Sequence, residues 1–230
     1  MTDTRSHFHQ ELQSLEQSML DIAERAERLV GMAVEALVDK NLELADRVVR
    51  EDHTLDEAYL DAHNRWINIM ARQQPMGGDL RLMSALLHLN VTLERTGDQC
   101  VNIAKLAKLC EPLPASPRIS EQIVEMSDLV RPMIRTAAHS FVRRDADEAR
   151  LLPAMDEPVD RINRNMYREV VACASDPELL EWATHVMMAS RALERIGDQA
   201  VDIGEQVVYL ITGEFEAFNE DAFAGRDDAH

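Results

Sequence analysis

At 230 residues the chain can form one large domain or two small ones, and 46% hydrophobic content is enough for a core in each half. A net charge of −18 repels phosphate backbones and anionic headgroups, which argues against nucleic acid as the main partner and favours cations or a basic protein. With 4% aromatics, eight Gly and eight Pro among abundant Leu, Ala, Glu, Arg and Met, the composition suits helices rather than strands.

In chain order, Phe8, Leu12, Leu15, Met19, Ile22, Ala26, Leu29, Ala33 and Leu37 recur by threes and fours and predict an amphipathic first helix. Nothing before residue 20 resembles a signal-peptide apolar core. Asn41 is placed to cap a second helix, whose stripe runs through Leu44, Val48, Leu55, Tyr59, Ala62, Trp66 and Ile69. One step of that stripe falls on Glu51 and Asp52. Pro75 and Gly77-Gly78 end it, and Asp79 is the expected cap of a third helix carrying Leu82, Leu86, Leu89, Leu93, Cys100, Ile103 and Ala107.

Residues 112–118 hold three prolines and read as a linker, since each also disfavours helix in the residue before it. A fourth helix is expected to open near Ser120 with Ile123, Met126, Val130 and Ile134, and to kink at Pro132. A fifth carries Leu152, Met155, Val159, Ile162 and Met166, with Pro153 and Pro158 near its start. Asp176-Pro177-Glu178 is a cap, first-turn proline and first-turn acid for a sixth helix that runs to about Leu210. The expected organisation is a three-helix bundle over residues 1–111, the linker, a second bundle over 119–212 and an acidic frayed tail over 213–230. No apolar run approaches the roughly 20 residues of a membrane-spanning helix. Cys100, Cys110 and Cys173 lack metal-type spacing and fit a reducing compartment, so a soluble cytoplasmic protein is expected.

The third helix of each half carries one repeated sequence. Leu93-Glu94-Arg95-Thr96-Gly97-Asp98-Gln99-Cys100-Val101-Asn102-Ile103 returns one hundred residues later as Leu193-Glu194-Arg195-Ile196-Gly197-Asp198-Gln199-Ala200-Val201-Asp202-Ile203. Glu94 with Asp98 and Glu194 with Asp198 are spaced i,i+4 on one helix face, and Asp202 extends the second series by a turn. The second helix of each half has a pair of its own, Asp52 with Asp56 and Asp156 with Asp160. Each pair flanks the buried stripe, so packing the helices would bring four or five acids of each half to one seam. Acid pairs also arise by accident on the solvated faces of so acidic a chain; recurrence at matching places in both halves is what singles these out.

Oxygen ligands suit Mg, Mn, Ca or iron, with Zn less natural, and several carboxylates along a seam can hold more than one ion. His53, beside Asp52, is a further candidate ligand. A helix-interior glycine costs about 1 kcal/mol relative to Ala, so Gly97 and Gly197 call for close approach of a neighbouring helix or of a metal-bound group. Arg95 and Arg195 are expected to pair with nearby acids or a partner. No Glu-x-x-His element, phosphate-cradling glycine loop or Ser-His-Asp order is present.

The doubled Glu-Arg-x-Gly-Asp-Gln helix, with Arg72-Gln73-Gln74-Pro75 leading into Asp79-Leu80-Arg81, resembles the PhoU family of phosphate-specific transport system accessory proteins over about residues 8–212. The resemblance implies an all-α fold of two tandem, similar three-helix bundles, each bearing a metal site. In the first half these motifs fall on Asp52/Asp56 and Glu94/Asp98, in the second on Asp156/Asp160 and Glu194/Asp198, with Asp202 beyond. The implied cofactors are Mg, Mn, Fe or Zn ions, in multinuclear sites in some members.

It further implies a cytoplasmic regulator, not a catalyst, that links a phosphate ABC transporter (its ATPase subunit) to a phosphate-sensing histidine kinase and represses the phosphate-starvation response. Membrane association would come only through those partners, and a homodimer is compatible with the reading. The competing classes are a metal-free helical scaffold and a carboxylate-bridged metalloenzyme, the latter lacking a candidate base. Two departures stand out: Asn102 replaces the counterpart of Asp202, which predicts a weaker first site, and the second half has no counterpart of Arg72-Gln73-Gln74-Pro75.

Overall fold

The computed structural model describes residues 2–218, with side chains from residue 7. Helices α1 (Thr2–Val38), α2 (Leu42–Gln73) and α3 (Gly78–Cys110) pack on one another, as do α4 (Pro117–Arg143), α6 (Leu152–Ala172) and α7 (Pro177–Thr212). A single turn, α5 (Ala146–Ala149), joins α4 to α6 and packs on α4 and α7. The two bundles share a continuous apolar core, because α3 lies along α7 and α1 along α4. No helix among the described residues is long and apolar enough to cross a membrane.

Helix ends follow local chemistry. Asn41 accepts the Leu44 amide at 3.0 Å, and Asp176 accepts the amides of Glu178 and Leu179 at 3.1 Å each ahead of Pro177. Two expected starts are displaced. The cap of α3 is Gly77, whose φ of 58° favours glycine, so Asp79 sits inside the first turn and complements the helix dipole instead of capping it. The cap position of α4 is Ser116, with Pro117 at the first helical position, so the linker ends earlier than Arg118. Pro132 lies within a continuous α4. The turn α5 was not expected; Asp145 nucleates it by accepting the Glu148 amide at 2.9 Å after Arg144 leaves α4 in a left-handed conformation.

The start of the acidic tail differs too. Residues 213–218 fold back on the second bundle, where the Phe218 amide donates to Glu205 Oε1 at 2.8 Å and Arg150 bridges Glu216 at 3.1 Å. Residues 219–230 of that tail lie outside the described residues. Trp182 and Phe141 are the largest fully buried side chains, and burial of a large apolar side chain stabilises by about 1.5–3 kcal/mol. Arg135 of α4 and Arg144 just past its end reach Glu27 and Glu16 of α1 at 2.5 and 2.7 Å, adding charge pairing to the apolar α1–α4 contact. This arrangement sets α2 beside α3 and α6 beside α7, the two seams on which the candidate acids lie.

Candidate metal centre

The stripe of α2 continues through its irregular step: Val48, Asp52 and Leu55 are all buried, so an acid occupies a core position facing α3. Asp52 lies directly against Gly97. A Cβ at Gly97 would run into Asp52 Oδ1, and a Cβ at Gly197 would run into Asp156 Oδ1 in the same way. The repeated glycine therefore opens a slot in α3 and in α7 for an aspartate of the neighbouring helix. That is the close approach its helix cost demanded, made by a carboxylate.

Both slotted oxygens are orphans. Asp52 Oδ1, Asp156 Oδ1 and Glu194 Oε2 are buried and have no hydrogen-bond partner among the described residues. An unpartnered buried polar atom costs about 1–3 kcal/mol, more when charged. Electrostatics agree. Desolvation, then repulsion from Asp56 and Asp98, pushes the Asp52 carboxyl up to about 6. Desolvation, then Asp160 and Asp198, pushes Asp156 up to about 7. Glu94, Glu194 and Asp198 are raised by the same causes, desolvation first and a neighbouring carboxylate next. Crowded, desolvated carboxyls of this kind are favoured in their charged form by a nearby positive charge.

In the second seam Asp156, Asp160 and Asp198 each offer a carboxylate oxygen within 4.8 Å of the others. Glu194, 8% exposed, stands one turn before Asp198 and bonds Arg191 at 2.5 Å through Oε1, leaving Oε2 free. Asp160 also reaches Arg164 at 3.1 Å. In the first seam Asp52, Asp56, Glu94 and Asp98 act on one another electrostatically, but no three converge so closely among the described residues.

Asp202 is not one of the converging three. It adds to the repulsion on Asp198, and desolvation raises its own carboxyl while His88 and Arg95 of α3 oppose that rise, so it belongs as much to the α3–α7 contact. His53 is exposed, and its charge steadies Asp52. Arg95 and Arg195 form no ion pair among the described residues; their charge acts on Glu94 and Asp202, and on Glu194 and Asp198. The cysteines are free and buried, and burial keeps the Cys100 and Cys110 thiols protonated, so they offer no soft ligand. Sequence reasoning missed Arg191, whose i,i+3 spacing to Glu194 was a usable signal, and His88, which meets Asp202 only through tertiary packing.

The family model described as PhoU domain matches residues 19–107 and again 123–207. The chain belongs to the PhoU family. The PhoU homolog of Pseudomonas putida, described as a phosphate-specific transport system accessory protein, is 35% identical over 90% of this chain and 81% of its own length. The crystal structure of PhoU from Pseudomonas aeruginosa superposes with a TM-score of 0.85 at 32% identity, covering 90% of this chain and all of that one. The phosphate transport system regulatory protein PhoU from Streptococcus pneumoniae gives 0.82 at 28% identity, covering 91% of this chain and 99% of that one. The two domain matches each contain one Glu-Arg-x-Gly-Asp-Gln helix and one slotted aspartate, so the duplicated PhoU unit includes the whole seam.

Proposed function

We propose that this chain is a cation-binding, non-catalytic regulator of phosphate homeostasis in the cytoplasm. It represses phosphate uptake and the phosphate-starvation response by coupling a phosphate ABC transporter to a sensor histidine kinase. The accessory and regulatory roles in the names of its PhoU relatives support the physiological part of that reading. The observation that carries the molecular part is Asp156 Oδ1, shut in against Gly197 without a hydrogen bond, with Asp160 and Asp198 beside it.

A hard divalent cation fits that donor set, since Mg, Mn and Ca take carboxylate oxygens, and iron is compatible. Asp156, Asp160, Asp198 and Glu194 would hold it in the second seam, and Asp52, Asp56, Asp98 and Glu94 in the first. The ion supplies positive charge that ends the repulsion. The residues themselves then clamp α6 to α7, and α2 to α3, which sets the outer shape a partner protein meets.

The test is alkaline phosphatase activity in phosphate-rich medium. Deletion of the gene is expected to make activity constitutive, the wild-type gene to restore repression, and Asp98→Asn with Asp198→Asn to restore it poorly. Normal repression in the deletion strain would sink the regulatory reading.

A further inference from the structure

The glutamine of the repeated motif has no part in the seams, yet its two copies differ. Gln199 has a partner: its Oε1 accepts from the Thr96 hydroxyl at 3.0 Å across the α3–α7 contact, a hydroxyl also 3.1 Å from Thr92 O. One hundred residues away by the repeat, the place of Thr96 is taken by Ile196, which has no hydroxyl. Gln99, half-buried, makes no hydrogen bond among the described residues, and it lines a cleft of about 370 Å³ between α3 and α7.

Three cations border this cleft, Lys105 on α3 and Arg191 and Arg195 on α7. Lys105 and Arg195 form no ion pair or hydrogen bond among the described residues, in a chain with 42 acidic groups to choose from. Leu106 and Ala192 make a buried apolar floor, while Leu109 and Met188 are 53% and 57% exposed at its rim. The repeat does not impose this character. At the other end of the same contact the equivalent positions are Asp202 for Asn102, Glu205 for Lys105 and His88 for Met188, so the charge there is reversed.

A mostly apolar concavity with a few unsatisfied polar groups is the usual form of a small-molecule site, and this volume lies within the roughly 300–1,000 Å³ such sites occupy. Guanidinium and ammonium groups together select a phosphate or carboxylate. The amides of Gln99 and Asn102 offer both donors and acceptors, and the leucine and methionine side chains offer a face for a flat ring. From these features we propose that the cleft binds a small organic anion of nucleotide size, its phosphate between Lys105, Arg191 and Arg195 and its ring on Leu109 and Met188. The site shares no acid with the cation seams; it touches them through Arg191, which bonds Glu194, and through the charge of Arg195 on Glu194 and Asp198, so it is tested without metal.

The experiment is calorimetric titration of the full-length, metal-free protein with AMP, adenosine and inorganic phosphate, using wild type and Lys105→Gln/Arg195→Gln. Both substituted side chains are exposed, and an unchanged melting temperature verifies the fold of the variant. The expected result is saturable AMP binding at one site per chain, weakened at least tenfold in the variant, with adenosine and phosphate each binding more weakly than AMP. Lack of saturable AMP binding at millimolar concentrations, or equal binding by the variant, would overturn the proposal. So would phosphate binding as tightly as AMP, because the apolar floor would then have no role. A variant that binds no small anion differently but loses a protein partner would reassign the cleft to docking and equally overturn it.

Discussion

Replacing Asp156 with Asn tests the physical reasoning about the seam most sharply, because it removes one charge and keeps the shape. In the folded protein this carboxyl keeps its proton to about pH 7, whereas the unfolded chain releases it near 3.8. Between those values the folded state binds more protons than the unfolded one, so stability falls as pH rises through the window, and the full penalty is present above it. A shift of roughly three units corresponds to a ceiling of about 4 kcal/mol. The residue is only half-buried, and solvent screening reduces that to ~1–2 kcal/mol. Asp156→Asn is therefore expected to stabilise the metal-free protein by ~1–2 kcal/mol at pH 8, to do little at pH 4, and to flatten the intervening slope. Urea unfolding at a series of pH values in chelator reads this directly. An asparagine variant less stable than wild type at pH 8, or with an unaltered pH slope, would refute the argument.

Removal of metal should expose the same chemistry. Wild type with excess Mn²⁺ is expected to melt higher than in chelator, and the difference should grow from pH 5 to pH 8 as the raised carboxyls lose their protons to solvent and become free to bind the ion. At Gly197, alanine would ordinarily gain about 1 kcal/mol of helix stability, but its Cβ meets Asp156, so Gly197→Ala should lose Mn²⁺ stabilisation while gaining less than that amount in chelator. The double variant Asp156→Ala/Gly197→Ala removes the collision and should recover the helix gain, which a double-mutant cycle of melting curves would reveal. Asp176→Ala removes two amide contacts at the start of α7 and is expected to cost ~1 kcal/mol in urea without changing metal affinity.

Much of this architecture was legible before the structure. Three-four spacing located every long helix, Asn41 and Asp176 announced their caps, and the repeated motif pointed to duplication. The start of α3 differs because Gly77, not the side chain of Asp79, takes the cap position, and the start of α4 differs because Pro117, assigned to the linker, is tolerated at the first helical position. The α5 turn escaped because one helical turn has no periodicity to detect; only Asp145 as a cap foretold it.

At the candidate site, the sequence put acid pairs on the second and third helices of each half and asked why a glycine recurs, but could not say which acid fills the slot. The clue was the step of the α2 stripe that fell on Glu51 and Asp52, where a core position is acidic. The contrast between the seams was expected from Asn102. Yet Asn102 lines the α3–α7 cleft, and the seams differ in how tightly their carboxylates converge. Such differences arise from helix packing at the level of an ångström, which residue spacing does not encode.

The proposed function turns on cation binding by the doubled carboxylate seams. It is tested most directly by Mn²⁺ titration of the metal-free protein at pH 7.5, with free ion followed by electron paramagnetic resonance, for wild type, Asp98→Asn and Asp198→Asn. Wild type is expected to bind the ion saturably, Asp198→Asn to lose the tighter class of sites and Asp98→Asn to lose the weaker class. Binding that neither substitution alters, or no saturable binding in wild type, would contradict it.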